Sequence, residues 1–225
     1  MQNVCVVVPT YNERPNVLTL IGSLKGLGLK VIVVDDNSPD GTADLVSQAK
    51  IPSVFLIRRN ERGLGSAIKR GMEEALNMGC ERIVTMDADL SHDPKYLPDM
   101  LGKDCDLVIG SRYIAGGGIE NWPLIRRIIS SGANIIARTM LRTGIRDNTS
   151  NFRVYSTKAV RETLKCESAS GYEFQICALF MVRRAGLGMC EFPITFVDRK
   201  MGKSKLGAAE LIKWLVYVVR LAGKG

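Results

Sequence analysis

No Cys-x-x-Cys pair occurs in this 225-residue chain, although it holds six cysteines (Cys5, Cys80, Cys105, Cys166, Cys177 and Cys190). Their scatter argues against a zinc site and against a secreted disulfide scaffold. They read as small buried hydrophobes in a reducing compartment. Histidine is down to one residue, His92, ahead of Asp93-Pro94; in that setting it reads as a turn residue rather than a catalytic one. No Gly-x-Gly-x-x-Gly follows the first apolar run, where "PTYNERPN" stands instead, so a dinucleotide fingerprint is excluded. Basic helices with regularly interleaved aromatics are missing, which speaks against nucleic acid as a partner. The first residues show neither a charged leader nor a cleavage pattern, so no signal peptide is expected. Repeats and linkers are absent as well, which leaves one compact domain with a terminal helical appendage.

What is present is divided unevenly. Residues 1–110 carry 12 Lys and Arg against 15 Asp and Glu, a balance of −3; residues 111–225 carry 19 against 8, a balance of +11. An acidic half followed by a strongly basic one points to an anionic partner for the second half.

Short Val- and Ile-rich runs at 4–10, 30–36, 53–59, 81–87 and 106–112 alternate with helical patterns near 14–24, 41–49 and 65–78. Runs apolar on both faces predict buried parallel strands, and the alternation predicts an α/β sheet covered on both sides. Beyond residue 112 the pattern predicts a loop at 116–118, a long helix at 122–142 and an edge strand at 151–156. A helix at 173–185, a late strand from 189, a basic loop and a last helix at 207–222 complete the reading.

Ligands of open parallel sheets bind at the carboxyl ends of the strands. There the first strand ends in "PTYNE" (Pro9–Glu13), the second in "DDNSPDGT" and the fourth in "DAD" (Asp87–Asp89). Residues i and i+2 of a strand share a face, so Asp87 and Asp89 point together. At an effective dielectric near 20, two such charges ~4 Å apart repel by ~4 kcal/mol. A divalent ion removes that cost, and carboxylates with a nearby hydroxyl suit Mg²⁺ or Mn²⁺ shared with a phosphorylated ligand. "GLGSA" (63–67) reads equally as a tightly packed helix start or as a phosphate or ribose contact.

Together "VVPTYNE", "VVDDNSPDGT", "GLGSAIKRGM", "MDADLSHDP", "GSRYIAGGGIENWPLIRRIISSGAN", "SNFRVYS", "GYEFQ" and "FVDRKMGKSKLG" resemble the dolichyl-phosphate mannose synthases, inverting glycosyltransferases of family 2 with the GT-A fold. The resemblance runs from about residue 4 to about residue 220. It implies a GT-A domain over 1–206, with a nucleotide-sugar half (1–110) and an acceptor half with a lid loop (111–206). Residues 207–225 would form a C-terminal amphipathic helix. It further implies transfer of mannose from GDP-mannose to a dolichyl or other polyprenyl phosphate, with Mg²⁺ or Mn²⁺, at the cytoplasmic side of a membrane. Carried over position by position, Pro9, Tyr11, Glu13 and Asp36 would hold the nucleoside, and Asp87 and Asp89 the donor and metal. Arg112, Arg126 and Ser130 would meet the acceptor phosphate, and Arg199 the donor diphosphate, aided by Lys203 and Lys205. Some relatives have a metal-binding glutamine where this chain has Ser91, which would take that place or leave it to water.

The chemistry is consistent with that assignment. A phosphate monoester has a second pKa of ~6 and is already a nucleophile at neutral pH, so it needs a cationic pocket rather than a general base. Arg112, Arg126 and Arg127 are candidates, since guanidinium forks match phosphate oxygens. Glu173 would act as a base only in an alcohol-accepting relative. In the last helix Glu210, Lys213, Tyr217, Arg220 and Lys224 form one polar stripe at spacings of 3, 4, 3 and 4. Its apolar part is too short to span a bilayer, which takes ~20 residues. It could lie in the interface with Trp214 as anchor, pack against a small membrane-spanning subunit, or pack on the protein's own sheet. Two alternatives stay open: a UDP-glucose-dependent polyprenyl-phosphate glucosyltransferase, and a non-catalytic nucleotide-binding subunit.

Overall fold

In the computed structural model, which describes residues 3–198 and 207–224, the alternating segments fold as strand and helix in turn. The first part runs β1 (Val4–Thr10), α1 (Val17–Gly26), β2 (Lys30–Asp35), α2 (Thr42–Gln48), β3 (Val54–Arg58), α3 (Leu64–Asn77) and β4 (Arg82–Thr85). After a 3-10 turn at Pro94–Tyr96 come α4 (Leu97–Leu101), β5 (Leu107–Ser111), β6 (Gly118–Glu120) and α5 (Leu124–Leu141). The remainder is β7 (Arg153–Ser156), α6 (Thr157–Thr163), α7 (Phe174–Arg184), β8 (Met189–Pro193), β9 (Thr195–Val197) and α8 (Ala208–Ala222). Seven strands form one sheet in the order β3-β2-β1-β4-β7-β5-β8, and β6 and β9 form a small parallel pair beside it.

Side-chain alternation along β1 explains why both sheet faces must be covered. Val4, Val6 and Val8 face Val17, Leu20, Ile21 and Leu24 of α1, Val46 of α2 and Leu97 and Met100 of α4. Cys5 and Val7 face Ala67, Ile68 and Met72 of α3 and the apolar side of α7. Full burial of a Val, Leu or Ile contributes ~1.5–3 kcal/mol, so this double layer is the main source of stability. Gly71 permits the approach of α3, since a Cβ there would collide with the Val7 side chain.

The second part corrects two expectations. Segment 151–156 is no edge strand: β7 sits between β4 and β5, antiparallel to both. Its apolar residues, Val154 and Tyr155, are fully buried because each has a strand on either side. The late strand divides at Ile194 into β8, which closes the main sheet, and β9, which pairs with β6; Gly118 therefore belongs to a strand rather than to the loop. The antiparallel insertion matters for the site. A strand running backwards begins where its neighbour ends, so residues 147–152 arrive beside the exit of β4.

The cysteines are a third correction. All six are paired as Cys5–Cys80, Cys105–Cys190 and Cys166–Cys177, with Cα separations of 5.9, 6.2 and 6.0 Å. Two of the pairs join residues 75 and 85 positions apart, so nothing in local spacing announces them.

Candidate active site

The carboxyl ends of β1, β2 and β4 converge as expected. Asp35 is fully buried and accepts from the Thr10 hydroxyl (2.7 Å), the Ser38 amide (2.9 Å) and the Ser38 hydroxyl (2.6 Å), which ties the exits of β1 and β2 together. Asp36 accepts from Arg59 Nε (2.9 Å) and Nη2 (2.6 Å) and from the Gly63 amide (2.9 Å). Arg62 lies 4.3 Å over the Tyr11 ring, and Asn16 Nδ2 donates to Glu13 Oε2 (3.0 Å). Pro9, Tyr11, Glu13 and Asp36 therefore share one rim. Burial pushes the nearby Asp40 carboxyl up, but hydrogen bonds from Thr42 and Arg14 outweigh it and hold the group below the usual range. The "GLGSA" glycines serve packing: a Cβ at Gly65 would lie 2.8 Å from the Ala169 carbonyl oxygen, and one at Gly63 2.6 Å from that of Ser170.

At the end of β4, Asp87 Oδ1 accepts from Asn151 Nδ2 at 2.8 Å. Asp89 Oδ1 accepts both the amide and the hydroxyl hydrogen of Ser91, a tight turn that places Leu90 at φ 62°. Ser91 thus supports Asp89 directly. Among the described residues no group of three or more His, Cys, Asp or Glu side chains gathers to cage a metal. Two adjacent carboxylates nonetheless fit a hard cation that fills its shell with water and phosphate oxygens.

His92 is not a surface turn residue. It is 2% exposed, stacked 5.2 Å from Phe152 and edge-on to Phe196 at 5.1 Å, with Nδ1 3.8 Å from Asp87 Oδ2. Burial holds its pKa below the ordinary histidine value, against the pull of Asp87 and Asp89.

The cationic side is equally defined. Arg112 is locked in a fork to Asp147, with Nε–Oδ2 and Nη2–Oδ1 both at 2.7 Å, and also donates to Thr149 Oγ1 (2.8 Å). Asp147 is fully buried; desolvation pushes its carboxyl up, and Arg112 more than reverses that, leaving it below the usual range. Burial alone would lower the Arg112 pKa, and Asp147 raises it instead. Arg126 donates to Asp198 Oδ1 (2.7 Å) and lies 4.1 Å over the Trp122 ring, which also meets Arg112 at 5.3 Å and Phe196 edge-on at 5.3 Å. Tyr113 donates its hydroxyl hydrogen to Ser130 Oγ (2.8 Å), bringing Ser130 to the same wall.

Phe196 joins the two sides, since His92 meets it at 5.1 Å and Arg112 at 5.5 Å. The carboxylates that follow β4, beside His92, and the guanidinium pair flanking Trp122 are thereby joined as two walls of one candidate crevice. Of the expected residues, Arg199, Lys203 and Lys205 lie outside the described residues. Arg127 turns to the Ile119 carbonyl oxygen (2.8 Å). Glu173 accepts the Ser170 and Gly171 amides (3.0 and 2.9 Å), a structural role rather than a basic one. Asp147, Asn151, Arg59 and Asp198 were not anticipated. For Asp198 the signal was its place in "FVDRK"; for Asp147 and Asn151 no local pattern exists.

A carboxylate pair and a cationic wall thus stand near the carboxyl ends of a mainly parallel sheet, in the GT-A fold. Residues 5–164 match the sequence profile described as glycosyl transferase family 2. The chain belongs to that family and is a glycosyltransferase. It is 38% identical over 225 residues to an undecaprenyl-phosphate mannosyltransferase of Micrococcus luteus, covering 96% of this chain and 93% of the relative. It is 37% identical over 220 residues to the polyprenol monophosphomannose synthase of Mycolicibacterium smegmatis, covering 93% and 83%. Among solved structures, glucosyl-3-phosphoglycerate synthase of Mycobacterium tuberculosis, in complex with Mn²⁺, UDP and glucosyl-3-phosphoglycerate, superposes with a TM-score of 0.72 at 18% identity. That match covers 98% of this chain and 80% of the other. Mannosyl-3-phosphoglycerate synthase of Rubrobacter xylanophilus gives 0.69 at 19% identity, over 99% and 73%.

Proposed function

We propose that the protein transfers mannose from GDP-mannose to a polyprenyl phosphate, dolichyl phosphate included, with inversion at the sugar carbon and with Mg²⁺ or Mn²⁺ at Asp87 and Asp89. The curated relatives named above support the sugar and the acceptor class. The observation that supports the reading is that Phe196 packs against both His92, whose Nδ1 lies 3.8 Å from Asp87, and Arg112, which shares Trp122 with Arg126.

The nucleoside would rest on the rim formed by Pro9, Tyr11, Glu13 and Asp36. Asp87 and Asp89 would hold a divalent cation, which would supply positive charge for the departing diphosphate. Arg126, with Arg112 and Ser130 behind it, offsets the repulsion between acceptor phosphate and donor diphosphate. One acceptor oxygen, deprotonated at neutral pH, then forms the bond to the sugar carbon. The carbon–oxygen bond to GDP breaks on the opposite face, and its electron pair leaves with the diphosphate. No protein carboxylate has to remove a proton. Arg112 is so fully held by Asp147 that its contribution is chiefly a fixed field, while the part-exposed Arg126 is the residue for direct contact.

A membrane surface suits the outer face. Leu124, Ile125, Ile128, Ile129, Ile135, Ile136 and Met140 of α5 are all exposed, as are Ile212, Leu215, Val216 and Val219 of the neighbouring α8. Trp214, expected as the anchor, is buried with Val218 and Leu221 in the core, so these aliphatic residues take the interfacial role. Among the described residues no helix is long and apolar enough to cross a membrane. Incubation with GDP-mannose, Mn²⁺ and polyprenyl phosphate in liposomes should yield lipid-linked mannose. Product from UDP-glucose but not GDP-mannose would overturn the donor, and no product from either would overturn the reaction.

A further inference from the structure

The fully buried guanidinium of Arg153 on β7 donates to three carbonyl oxygens: Asn148 (2.9 Å), Ser150 (2.7 Å) and Gln175 (2.8 Å). It thereby gathers the segment before β7 and the start of α7 around one charge. At the end of that segment Asn151 is fixed three times. Its carbonyl oxygen accepts from Thr85 Oγ1 of β4 (2.7 Å), its Oδ1 accepts from Gln175 Nε2 (2.7 Å), and its Nδ2 donates to Asp87 Oδ1 (2.8 Å). Asn151 is 5% and Gln175 3% exposed, so water does not compete for these bonds.

The direction of every hydrogen in this chain is forced. An ionised Asp87 only accepts, so Asn151 must present its NH₂ group to it. The Asn151 oxygen then needs a donor, which only the NH₂ group of Gln175 provides. Among the described residues Gln175 Oε1 is buried and has no hydrogen-bond donor. A buried acceptor without a donor is costly and uncommon in folded proteins. Its retention here is accounted for if the Gln175 amide is turned for the sake of Asn151, and Asn151 for the sake of Asp87.

We propose that Asn151 is the positioning residue of Asp87, oriented in turn by Gln175, and that this pair presets the carboxylate for the divalent cation. The inference rests on the metal use proposed above. Outer partners of metal-binding carboxylates commonly govern affinity 10- to 100-fold.

The test is Mn²⁺ binding in the presence of saturating GDP, followed by the paramagnetic signal of free Mn²⁺. Asn151→Ala should bind Mn²⁺ about tenfold more weakly, and Gln175→Met should show a smaller loss in the same direction. GDP affinity in EDTA should be unchanged in both, and raising Mn²⁺ should restore much of the Asn151→Ala transfer rate, a recovery that a merely structural defect would not show. Wild-type Mn²⁺ affinity in Asn151→Ala would overturn the proposal while leaving the reaction intact. Should that variant fail to fold, wild-type affinity in Gln175→Met would overturn it equally. Absence of Mn²⁺ binding by the unaltered protein would overturn both this inference and the proposed metal use.

Discussion

The two walls of the crevice are built in opposite ways. The acids of one wall come from a single short stretch, where Asp89 takes its support from Ser91 two positions on and Asp87 alone reaches farther, to Asn151. The basic wall is assembled across the chain: Arg112 depends on Asp147, 35 positions away, and Arg126 on Asp198, 72 away. A local turn can hold Asp89 because that carboxylate needs only a nearby donor. The buried Arg112 is paired with a carboxylate, and that carboxylate comes from wherever the fold brings one.

This contrast can be broken by substitution. The largest effect is expected on the acidic wall, where Asp89→Asn should lower the transfer rate about 10³-fold, or ~4 kcal/mol, with little change in melting temperature. A radiolabelled transfer assay beside thermal denaturation checks both halves of that statement. Asp147→Ala should do the reverse and act first on stability. Leaving Arg112 buried without its partner costs ~3–5 kcal/mol, which for a chain of this size lowers the melting temperature by roughly 10 °C.

Acid titration sharpens the same point. The Asp147 carboxyl is held below its ordinary value of 3.8, so its contribution is complete above that pH and is lost as the pH falls through the folded value. Denaturant unfolding of wild type and Asp147→Asn should accordingly converge below about pH 4. Arg126→Ala is expected to raise the KM for the lipid acceptor roughly 10- to 100-fold, the ~1.5–3 kcal/mol of a charged hydrogen bond, with GDP binding within twofold. Calorimetry with GDP separates the two. The smallest effect belongs to Glu173→Gln, whose transfer rate should stay within about twofold because that side chain braces two amides and removes no proton.

Legibility followed the same division. The strand expected at 4–10 and the helix expected at 65–78 are found at Val4–Thr10 and Leu64–Asn77, because periodic burial writes itself into neighbouring residues. Asp87 and Asp89 stood out as paired acids after an apolar run, but they lie beyond β4, which ends at Thr85, so strand alternation does not set their directions. The position of β7 was not visible, since an antiparallel strand with partners on both sides looks like any short apolar run. His92 was misjudged because its burial is conferred by Phe152 and by Phe196, 104 positions away. Asn151 stands in "SNFRVYS", quoted for the resemblance, but nothing in that run marks its use, which arises only from β7 running against β4.

The outward face of α5 has a consequence for how such an enzyme must be measured. A helix that buries only Asn134, Ala137 and Leu141 while turning seven large aliphatic side chains outward resides at an oil–water boundary more readily than in bulk solution. Adsorbed there, it would search for its lipid over an area instead of a volume. Turnover would then scale with the mole fraction of acceptor in the bilayer, and adding inert phospholipid should slow it by surface dilution at constant total concentration.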